Sequence, residues 1–380
     1  MESIYLNEEH QLLRKSVRRF VEAEIVPHIE EWEEKRELPR ALFRKMAELG
    51  YFGIRFPARF GGSEGDVFST IVLCEELGRC QSLGVANSLV THSEMAAHFI
   101  NVWGTEEQKE AYLKPALAGE KILSLGITEP NTGSDVAAIQ TSAAKDGDFY
   151  VINGSKIFIT NGSFADAVIL AAKTSKGNKH RDISIFLFDT TTPGFSASTI
   201  KKIGHHMSGT SVLAFDNCRI PAHKLMGEEG RGFYAIMNTF QIERIVVSAY
   251  GLGAAEKVFE ETIEYVKNRV AFGKPIGKFQ VVGHKLADMA IELEASRQLL
   301  YHATWLYQQG KDFRKEVAMI KVHAARVAHW LADQGLQLHG GYGYTVEYPV
   351  SRVYLDSRVG SIGGGTSEIQ KEIIVKLLGL

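Results

Sequence analysis

Cysteine is scarce in this chain of 380 residues, which contains only Cys74, Cys80 and Cys218. An odd number of cysteines without any Cys-x-x-Cys spacing argues against a disulfide framework and against a cysteine-bound zinc ion. The thirteen histidines are scattered, and the adjacent pair His205 and His206 would point in different directions from either a strand or a helix. We therefore expect no metal site.

Long hydrophobic runs and a strong net charge are also missing. Charged residues interrupt every apolar stretch well before the ~20 residues that a membrane-spanning helix requires, and the formal net charge is −2. No cluster of basic residues with interleaved aromatics indicates a nucleic-acid surface. The first ten residues, MESIYLNEEH, are polar and acidic, unlike a signal or transit peptide. We therefore expect a protein without a membrane span or a nucleic-acid partner, cytoplasmic by default, although a processed organellar protein would look the same.

The hydrophobic residues that are present divide the chain into three regions. In the first, residues 1–122, the patterns are helical: Asn7 is suited to cap a helix, and Leu13, Val17 and Phe20 follow at helical spacing. A chain of this length usually forms two or three domains. We therefore predict a helical first domain that ends near residue 122.

The second region, residues 123–230, contains strand patterns and tight turns. Asn153 and Gly154 stand between two β-rich runs in FYVINGSKIFIT, and Asn-Gly in this setting is the strongest short signal of a β-hairpin. Residues 182–189 and 209–221 read as further strands. We predict a small all-β domain with a hairpin turn at Asn153.

The third region, residues 231–380, is helical again. A long apolar-periodic segment opens it, and a stripe with helical spacing follows at Ile320, Ala324, Val327 and Leu331. Long helices with short connections imply a helical bundle. The order of helices, strands and helices predicts an α+β protein.

Three glycine-rich motifs have more than one interpretation when each is taken alone. HGGYGY at residues 339–344 follows a predicted helix, so it lacks the strand that a dinucleotide-binding fingerprint requires. GITEPNTGSD at residues 126–135 is either a simple turn or a ligand-binding loop rich in hydroxyls and backbone donors. SIGGGTSEIQ at residues 361–370 is either a helix connector or an anion-binding turn in which Thr366 and Ser367 cap the next helix.

The order of these motifs resembles one known family. Along the chain stand, in sequence, GITEPNTGSD, NGSKIFITNG, RVAFGKPIGKFQ, QLHGGYGYTVEYP and GGGTSEIQ. Together they resemble the acyl-CoA dehydrogenase family of flavoproteins, and the resemblance covers essentially the whole chain. It implies an N-terminal helical domain, a small middle β-barrel or sandwich and a C-terminal four-helix bundle, with non-covalent FAD between the β domain and the bundle.

The resemblance also assigns expected FAD contacts to individual residues. It places Thr128 at the pyrimidine edge of the flavin, Ser134 at the pyrophosphate, Phe158 against the isoalloxazine and Thr160 near N5. Many family members have Trp where this chain has Phe158, and Phe keeps the apolar face while losing the indole donor. Further positions that match FAD contacts are Ile127, Gly133, Ile159, Thr366, Ser367 and Glu368.

A second set of matching positions reaches the FAD of a neighbouring subunit in the family. These are Arg269, Phe272, Gln280, Gln337, His339, Gly340 and Gly341. A cofactor site shared between subunits implies a homo-oligomer, usually a tetramer. Without the resemblance, Arg269 would simply be a solvated charge at the end of a helix.

The expected catalytic base is not where many relatives have it. Short- and medium-chain members carry it as Glu in a Tyr-Glu-Gly-Thr run, and this chain has Gly364 there. Either the chain has lost the activity, or the base lies elsewhere, as in the long-chain and isovaleryl branches. Those branches place Glu before Arg on the helix that opens the bundle, which matches Glu243 and Arg244. A buried acid among apolar residues is costly without a purpose, although Glu243 alone would more often be a surface acid.

The function implied by the resemblance is α,β-dehydrogenation of an acyl-CoA thioester. Glu243 removes the α-proton, the β-hydride passes to flavin N5, and the electrons continue to an electron-transferring flavoprotein. The backbone N–H of Gly364 can donate to the thioester oxygen, and the missing side chains suggest a long, branched or cyclic acyl chain. Further expected substrate contacts are Ser134, Gln241, Arg244 and Gly365. The alternatives are a flavin oxidase, a dehydrogenase of carrier-tethered acyl groups, and a silent acyl-CoA- or FAD-binding paralogue.

Overall fold

The N-terminal part of the chain is helical, as the sequence predicts. The computed structural model describes residues 3–178 and 180–380. The α-helices that precede the sheet are α1 Glu8–Phe20, α2 Ile29–Lys35, α3 Arg40–Glu48, α4 Val67–Gly78, α5 Leu83–Val90, α6 His98–Trp103, α7 Glu106–Gln108 and α8 Lys114–Leu117. Asn7 caps α1 by accepting a hydrogen bond from the backbone N–H of His10, whose imidazole accepts one from the backbone N–H of Asn7. The predicted cap is therefore confirmed.

The middle of the chain folds into one twisted sheet. Its strands are β1 Leu123–Gly126, β2 Ser142–Asp146, β3 Phe149–Ile159, β4 Ala167–Lys173, β5 Ile183–Asp189, β6 Phe195–Thr199, β7 Ser211–Pro221 and β8 Leu225–Met226. The strands are ordered β6-β7-β3-β2-β4-β5-β8, and β1 pairs with β4 in parallel. A separate small core of the sheet includes Tyr150, Phe186 and Phe215. The predicted β region is thus present.

The predicted hairpin at Asn153 and Gly154 is wrong, because β3 runs straight through both residues. Gly154 has φ of 144°, and the pairing of β3 with β7 shifts register beside it. A Cβ on Gly154 would lie only 2.6 Å from the Thr141 hydroxyl, so glycine permits a bulge in close contact with a neighbouring segment. The hairpin turn lies earlier, at Gly147 and Asp148 between β2 and β3.

The C-terminal part of the chain is again helical. It contains α9 Gly232–Asn268, α10 Gln280–Gln308, α11 Arg314–His339, α12 Pro349–Ser357 and α13 Ser367–Leu377, with the short strands β9 Val270–Ala271 and β10 Lys274–Pro275 between α9 and α10. The predicted stripe on α11 is buried at all four positions, Ile320, Ala324, Val327 and Leu331. No helix within the described residues is both long and apolar enough to cross a membrane.

Helix α9 is held against the N-terminal helices by a close crossing with α4. A Cβ on Gly253 would lie 1.9 Å from the Glu75 carbonyl oxygen, and a Cβ on Gly78 would lie 2.0 Å from the Tyr250 carbonyl oxygen. Neither position can therefore carry a side chain unless the helices move apart. The crossing fixes the part of α9 that carries Glu243 relative to the first region of the fold.

A single buried carboxylate connects the three regions of the chain. Asp356 on α12 accepts a hydrogen bond from the backbone N–H of Leu83 at 2.9 Å and one from the backbone N–H of His205 at 2.6 Å. The carboxylate satisfies the start of α5 and a loop of the β region at once. The relative placement of the sheet and the bundle is thereby fixed by directional bonds as well as by packing.

Candidate functional site

Glu243 and Gly364 meet in the structure although they are far apart in the sequence. Glu243 lies on α9, and Gly364 lies in a turn before α13 that we call the glycine turn, residues 362–366. Oε1 of Glu243 is 3.5 Å from the position that a Cβ would occupy on Gly364. The carboxylate therefore reaches the place where a side chain of residue 364 would begin.

The Glu243 carboxylate is in an environment that disfavours its charge. Oε2 is buried and has no hydrogen-bond partner among the described residues, although other parts of the residue keep some exposure. Burial raises the pKa of Glu243 to about 7, against the opposing effect of the Arg244 and Lys321 charges. A carboxyl that titrates near neutral pH is suited to accept a proton in a reaction.

Arg244 supplies a second buried charge beside this carboxyl. Its side chain is almost fully buried, at 4% exposure. Nη1 donates to Oε1 of Gln241 at 3.2 Å, whereas Nε is buried without a partner among the described residues. Buried polar atoms without partners are costly. The structure thus brings Gln241, Arg244 and Glu243 together, with donor and acceptor capacity left for a ligand.

Two residues that the sequence did not indicate, Lys321 and Gln370, hold the glycine turn by bonding its backbone carbonyl oxygens. Lys321 on α11 is 2% exposed and donates from Nζ to the Gly365 carbonyl oxygen. Gln370 on α13 is fully buried, and its Nε2 lies 3.4 Å from the carbonyl oxygens of both Gly364 and Gly365. Gly364 and Gly365 have φ of 64° and 85°, a conformation that favours glycine.

The flavin-contact segments predicted in the sheet are joined by a buried ion pair. Nζ of Lys156 on β3 lies 2.7 Å from Oε1 of Glu129 and donates to the Ile127 carbonyl at 3.0 Å. The same carboxylate accepts a hydrogen bond from the backbone N–H of Thr141 at 2.9 Å. The Thr128 carbonyl in turn accepts one from the backbone N–H of Ile157 at 2.9 Å. The loop that carries Thr128 is therefore fixed to the strand that carries Phe158.

Phe158 is displayed by an unusual backbone. Its φ is 59°, which is uncommon for a bulky residue, and it falls within the second register shift of β3 against β7. Phe158 is 62% exposed, while the next residue, Ile159, is 2% exposed. The bulge thus turns a large apolar ring outward, as required for stacking against a planar ligand.

Thr160 connects this strand to the helix that carries Glu243. Its hydroxyl is 3.1 Å from Nδ2 of Asn87, and Oδ1 of Asn87 accepts a hydrogen bond from the Tyr250 hydroxyl at 3.3 Å. Tyr250 lies about two turns beyond Glu243 on α9. Asn87 and Tyr250 were not identified from the sequence, because a hydrogen bond between three separate segments leaves no local pattern.

The remaining residues predicted to contact FAD near the site differ in how exposed they are. Thr366 caps α13 by accepting a hydrogen bond from the backbone N–H of Ile369 at 3.3 Å, so the predicted cap is confirmed. Gly133, Ser134 and Glu368 are exposed, and Ser367 is half-buried in the first turn of α13. The side chain of Ile127 is buried in the core at 5% exposure, which leaves only its backbone available to a cofactor.

The second predicted group lies together at the far end of α9 and α11. The Arg269 guanidinium is 5.7 Å from the centre of the Tyr342 ring, and Phe272 is 94% exposed between β9 and β10. The exposed members besides these are Gln280, Gln337, Gly340 and Gly341. His339 differs, because its buried imidazole donates from Nδ1 to the Gly335 carbonyl at 2.7 Å. Only the backbone of His339 is therefore available to a ligand.

Taken together, the residues around Glu243 fit a flavin and an acyl thioester. An exposed ring at Phe158, a hydroxyl at Thr160 and the N-terminus of α13 provide a stacking surface, a hydrogen-bonding group and anion-binding capacity. Glu243 and Arg244 add the buried unpartnered atoms described above. Arg269 and Phe272, in contrast, are exposed beyond the C-terminal end of α9.

Family sequence models match three consecutive parts of the chain. The models of the acyl-CoA dehydrogenase N-terminal, middle and C-terminal domains match residues 7–120, 124–218 and 230–379.

Individual proteins match over nearly the whole length. The chain is 42% identical over 371 residues to a short-chain specific acyl-CoA dehydrogenase of Clostridium acetobutylicum, covering 97% of each chain. It is 38% identical to the CarC subunit of the caffeyl-CoA reductase-Etf complex of Acetobacterium woodii, covering 99% of each. A solved structure described as the FAD complex of PigA superposes with a TM-score of 0.95 at 32% identity and covers 100% of each chain.

Proposed function

Because the chain belongs to the acyl-CoA dehydrogenase family of FAD-dependent oxidoreductases, we propose that it removes two hydrogens from the α and β carbons of an acyl-CoA thioester with Glu243 as the base. The observation that supports this assignment is the position of the Glu243 carboxylate beside the space at Gly364. The resemblance puts the base of short- and medium-chain members at residue 364, and in this chain the Glu243 carboxylate, from a different segment, lies beside that residue.

Each residue of the site has a proposed task in this reaction. Glu243 takes the α-proton at one of its carboxylate oxygens, which requires the ionised form. The backbone N–H of Gly364 donates to the thioester oxygen as negative charge develops there. Arg244 and Gln241 orient the thioester end of the substrate. FAD, when bound, supplies the hydride acceptor.

The proposed FAD contacts are the residues assigned from the sequence. Thr128, Phe158, Thr160 and the N-terminal turn of α13 contact the cofactor of the same subunit. Arg269, Phe272 and the exposed residues near Gly340 contact the cofactor of another subunit, which makes a homotetramer the proposed assembly. Their exposure in the single chain supports this arrangement.

The proposed electron acceptor is an electron-transferring flavoprotein, as the name of the Acetobacterium woodii relative's complex suggests. The proposed substrate is a long, branched or cyclic acyl-CoA, because residues 363 and 364 lack side chains beside the thioester. The relatives' names include both short-chain acyl and caffeyl substrates, so the choice of acyl chain requires a direct test.

The test is anaerobic mixing of the FAD-loaded protein with a panel of straight, branched and alicyclic acyl-CoAs. We expect bleaching of the flavin absorbance, fastest with the larger or branched chains. Reoxidation should be fast with an electron-transferring flavoprotein and slow with air. Fast reoxidation by air would instead indicate an oxidase, and an unbleached flavin with every substrate would indicate a silent paralogue.

A relocated base tests the geometry of the site directly. In Glu243→Ala the flavin should no longer bleach, and adding Gly364→Glu should restore the bleaching rate at least about tenfold over the single variant. The reason is that a Cβ at residue 364 would lie 3.5 Å from the position of Glu243 Oε1, which the alanine leaves empty, and its other neighbour, Lys321 Cε, is at an ordinary 3.9 Å. Recovery will be incomplete, since a side chain at this φ costs about 1 kcal/mol.

The matched control for this variant is Gly363→Glu in the same Glu243→Ala background. A Cβ on Gly363 would face the Val359 carbonyl oxygen at 3.7 Å instead of Glu243, so we expect no recovery. Equal recovery from both positions would mean that proximity to the Glu243 space is not what matters, and the assignment of the site would be wrong.

A further inference from the structure

Lys321 is a buried cation beside the proposed base that no step described so far requires. It is 2% exposed, and a lysine ammonium is rarely buried without a strong reason. Its Nζ donates to the Gly365 carbonyl rather than to a carboxylate. Its Cε lies 3.9 Å from the Cβ position of Gly364, the same point that Glu243 Oε1 approaches to 3.5 Å. Lys321 and Glu243 therefore border one small space from opposite elements, α11 and α9.

The hydrogen bond of Lys321 restrains the part of the glycine turn that matters most. Gly364 and Gly365 both have left-handed backbones, and glycine loses more conformational freedom on ordering than any other residue. A charged donor on the Gly365 carbonyl, assisted by the amide of Gln370, opposes rotation of these peptides. Gly364 has no side chain to hold it in place, so the orientation of its backbone N–H depends on these hydrogen bonds from Lys321 and Gln370.

The charge of Lys321 acts on the proposed base through space. The ionisable groups around Glu243 are Arg244 and Tyr250 on its own helix and Lys321 from α11, while Glu368 of α13 acts on Lys321. Arg244 and Lys321 both lower the pKa of Glu243 against the effect of burial. Burial disfavours the charged form of Lys321 as well and lowers its pKa to about 8, and the Glu243 charge opposes that change.

We propose that Lys321 is a positioning residue of the reaction, which holds the glycine turn through the Gly365 carbonyl and keeps a positive charge beside the Glu243 carboxylate. This inference rests on the proposed function, since it gives Lys321 a role only if Glu243 accepts the substrate proton. Lys321 acts through the Gly365 peptide and the Glu243 carboxylate, so it is a positioning residue rather than a catalytic one.

The test compares Lys321→Met with the unchanged protein in anaerobic flavin bleaching from pH 6 to pH 9. In the unchanged protein the rate at low substrate should rise with pH through about 7, because the ionised form of Glu243 reacts. Without the lysine charge the carboxyl holds its proton more tightly, so the midpoint should move up by about one pH unit. The loss that comes from the missing charge should be about tenfold at pH 6.5 and should diminish as the pH rises. At pH 9 only the loss that comes from the missing hydrogen bond to Gly365 should remain.

Two further variants separate the charge from the hydrogen bond. Lys321→Arg keeps the charge and the hydrogen-bond donor, so its midpoint should lie close to that of the unchanged protein. Lys321→Gln keeps a donor but no charge, so its midpoint should be raised as in Lys321→Met. Lys315→Met is the matched control, since Lys315 lies on the same helix and its side chain is 42% exposed. It should leave the profile unchanged.

A second measurement does not depend on turnover. Thermal melts of the apoprotein with Lys321→Met, Glu243→Gln and both changes form a double-mutant cycle. If the charges interact, the effect of Lys321→Met on the melting temperature should change when Glu243 is already neutral. This cycle also remains informative if Lys321→Met binds FAD poorly.

The outcomes distinguish this inference from the proposed function. Normal bleaching by Glu243→Gln would overturn Glu243 as the base. A Lys321→Met loss that is equal at every pH, together with an additive melting cycle, would overturn the electrostatic role of Lys321. An unchanged rate in Lys321→Met at pH 9 would overturn its role in holding the glycine turn. Both results would leave the base assignment intact.

Discussion

Glu243→Gln should abolish flavin bleaching by acyl-CoA while leaving the protein folded and loaded with FAD. Removing a positioned general base costs typically 10²–10⁴ in rate, and the uncharged amide cannot take up the α-proton, so we expect a loss of about a thousandfold or more. Glutamine has nearly the same shape as glutamate, and it replaces a carboxyl whose pKa is already raised to about 7 by burial. The fold should therefore tolerate the change. Anaerobic stopped-flow absorbance of the flavin measures it.

The control for this result is Glu264→Gln, an exposed acid farther along the same helix. It should bleach at the original rate. Binding of FAD and of acyl-CoA should be unchanged in Glu243→Gln, as measured by flavin content and by calorimetric titration with acyl-CoA. Retained bleaching in Glu243→Gln would show that another group takes the proton. A loss of FAD would show instead that the residue is structural.

Of the variants proposed for this protein, Lys156→Met should lower the free energy of unfolding the most. Lys156 is fully buried, and its ammonium pairs with Glu129 at 2.7 Å and bonds the Ile127 carbonyl at 3.0 Å. Removing one partner of a buried ion pair leaves the other charge uncompensated and costs about 3–5 kcal/mol. The same loss should loosen the Thr128 loop from the strand of Phe158, so FAD should bind at least about tenfold more weakly. Urea unfolding of the apoprotein and fluorescence titration with FAD measure the two effects.

The ion pair itself is tested by neutralising both partners. Glu129→Gln added to Lys156→Met should recover a large part of the lost stability, because no buried charge then remains unpaired. Arg219→Met is the comparison for an exposed pair: Arg219 contacts Asp146 at 3.3 Å with about half of both side chains exposed. It should cost under about 1 kcal/mol. Similar losses of stability in Lys156→Met and Arg219→Met would contradict the interpretation that burial makes the Lys156–Glu129 pair important for stability.

One error in the sequence interpretation shows where local patterns mislead. Asn153 and Gly154 have the composition of a hairpin turn, yet β3 continues through them and pairs with β7 on both sides. The turn signal was correct about the backbone, since Gly154 has positive φ. It was wrong about the structure that follows, because Gly154 packs closely against Thr141 and its positive φ forms a bulge within β3 instead of a turn. Propensity identifies the unusual residue, and packing decides its use.

The pairing of Glu243 with Gly364 was nevertheless predicted before the structure was known. The vacancy at Gly364 directed attention to Glu243, and the structure brings these two residues together. The resemblance supplied that link, because no periodicity relates α9 to the glycine turn. The roles proposed for Glu243 and Gly364 remain predictions until the variants are measured.

The sequence by itself determined the order of helices and strands, the caps at Asn7 and Thr366 and the buried stripe on α11. These depend on residues within a few positions of one another, whose spacing follows the period of the local structure. Only the tertiary structure decided which distant groups meet. Lys321 and Gly365 are separated by 44 positions, and Lys156 and Glu129 by 27. A buried charge is stable only beside its partner, and the partner's identity depends on how the elements pack in three dimensions.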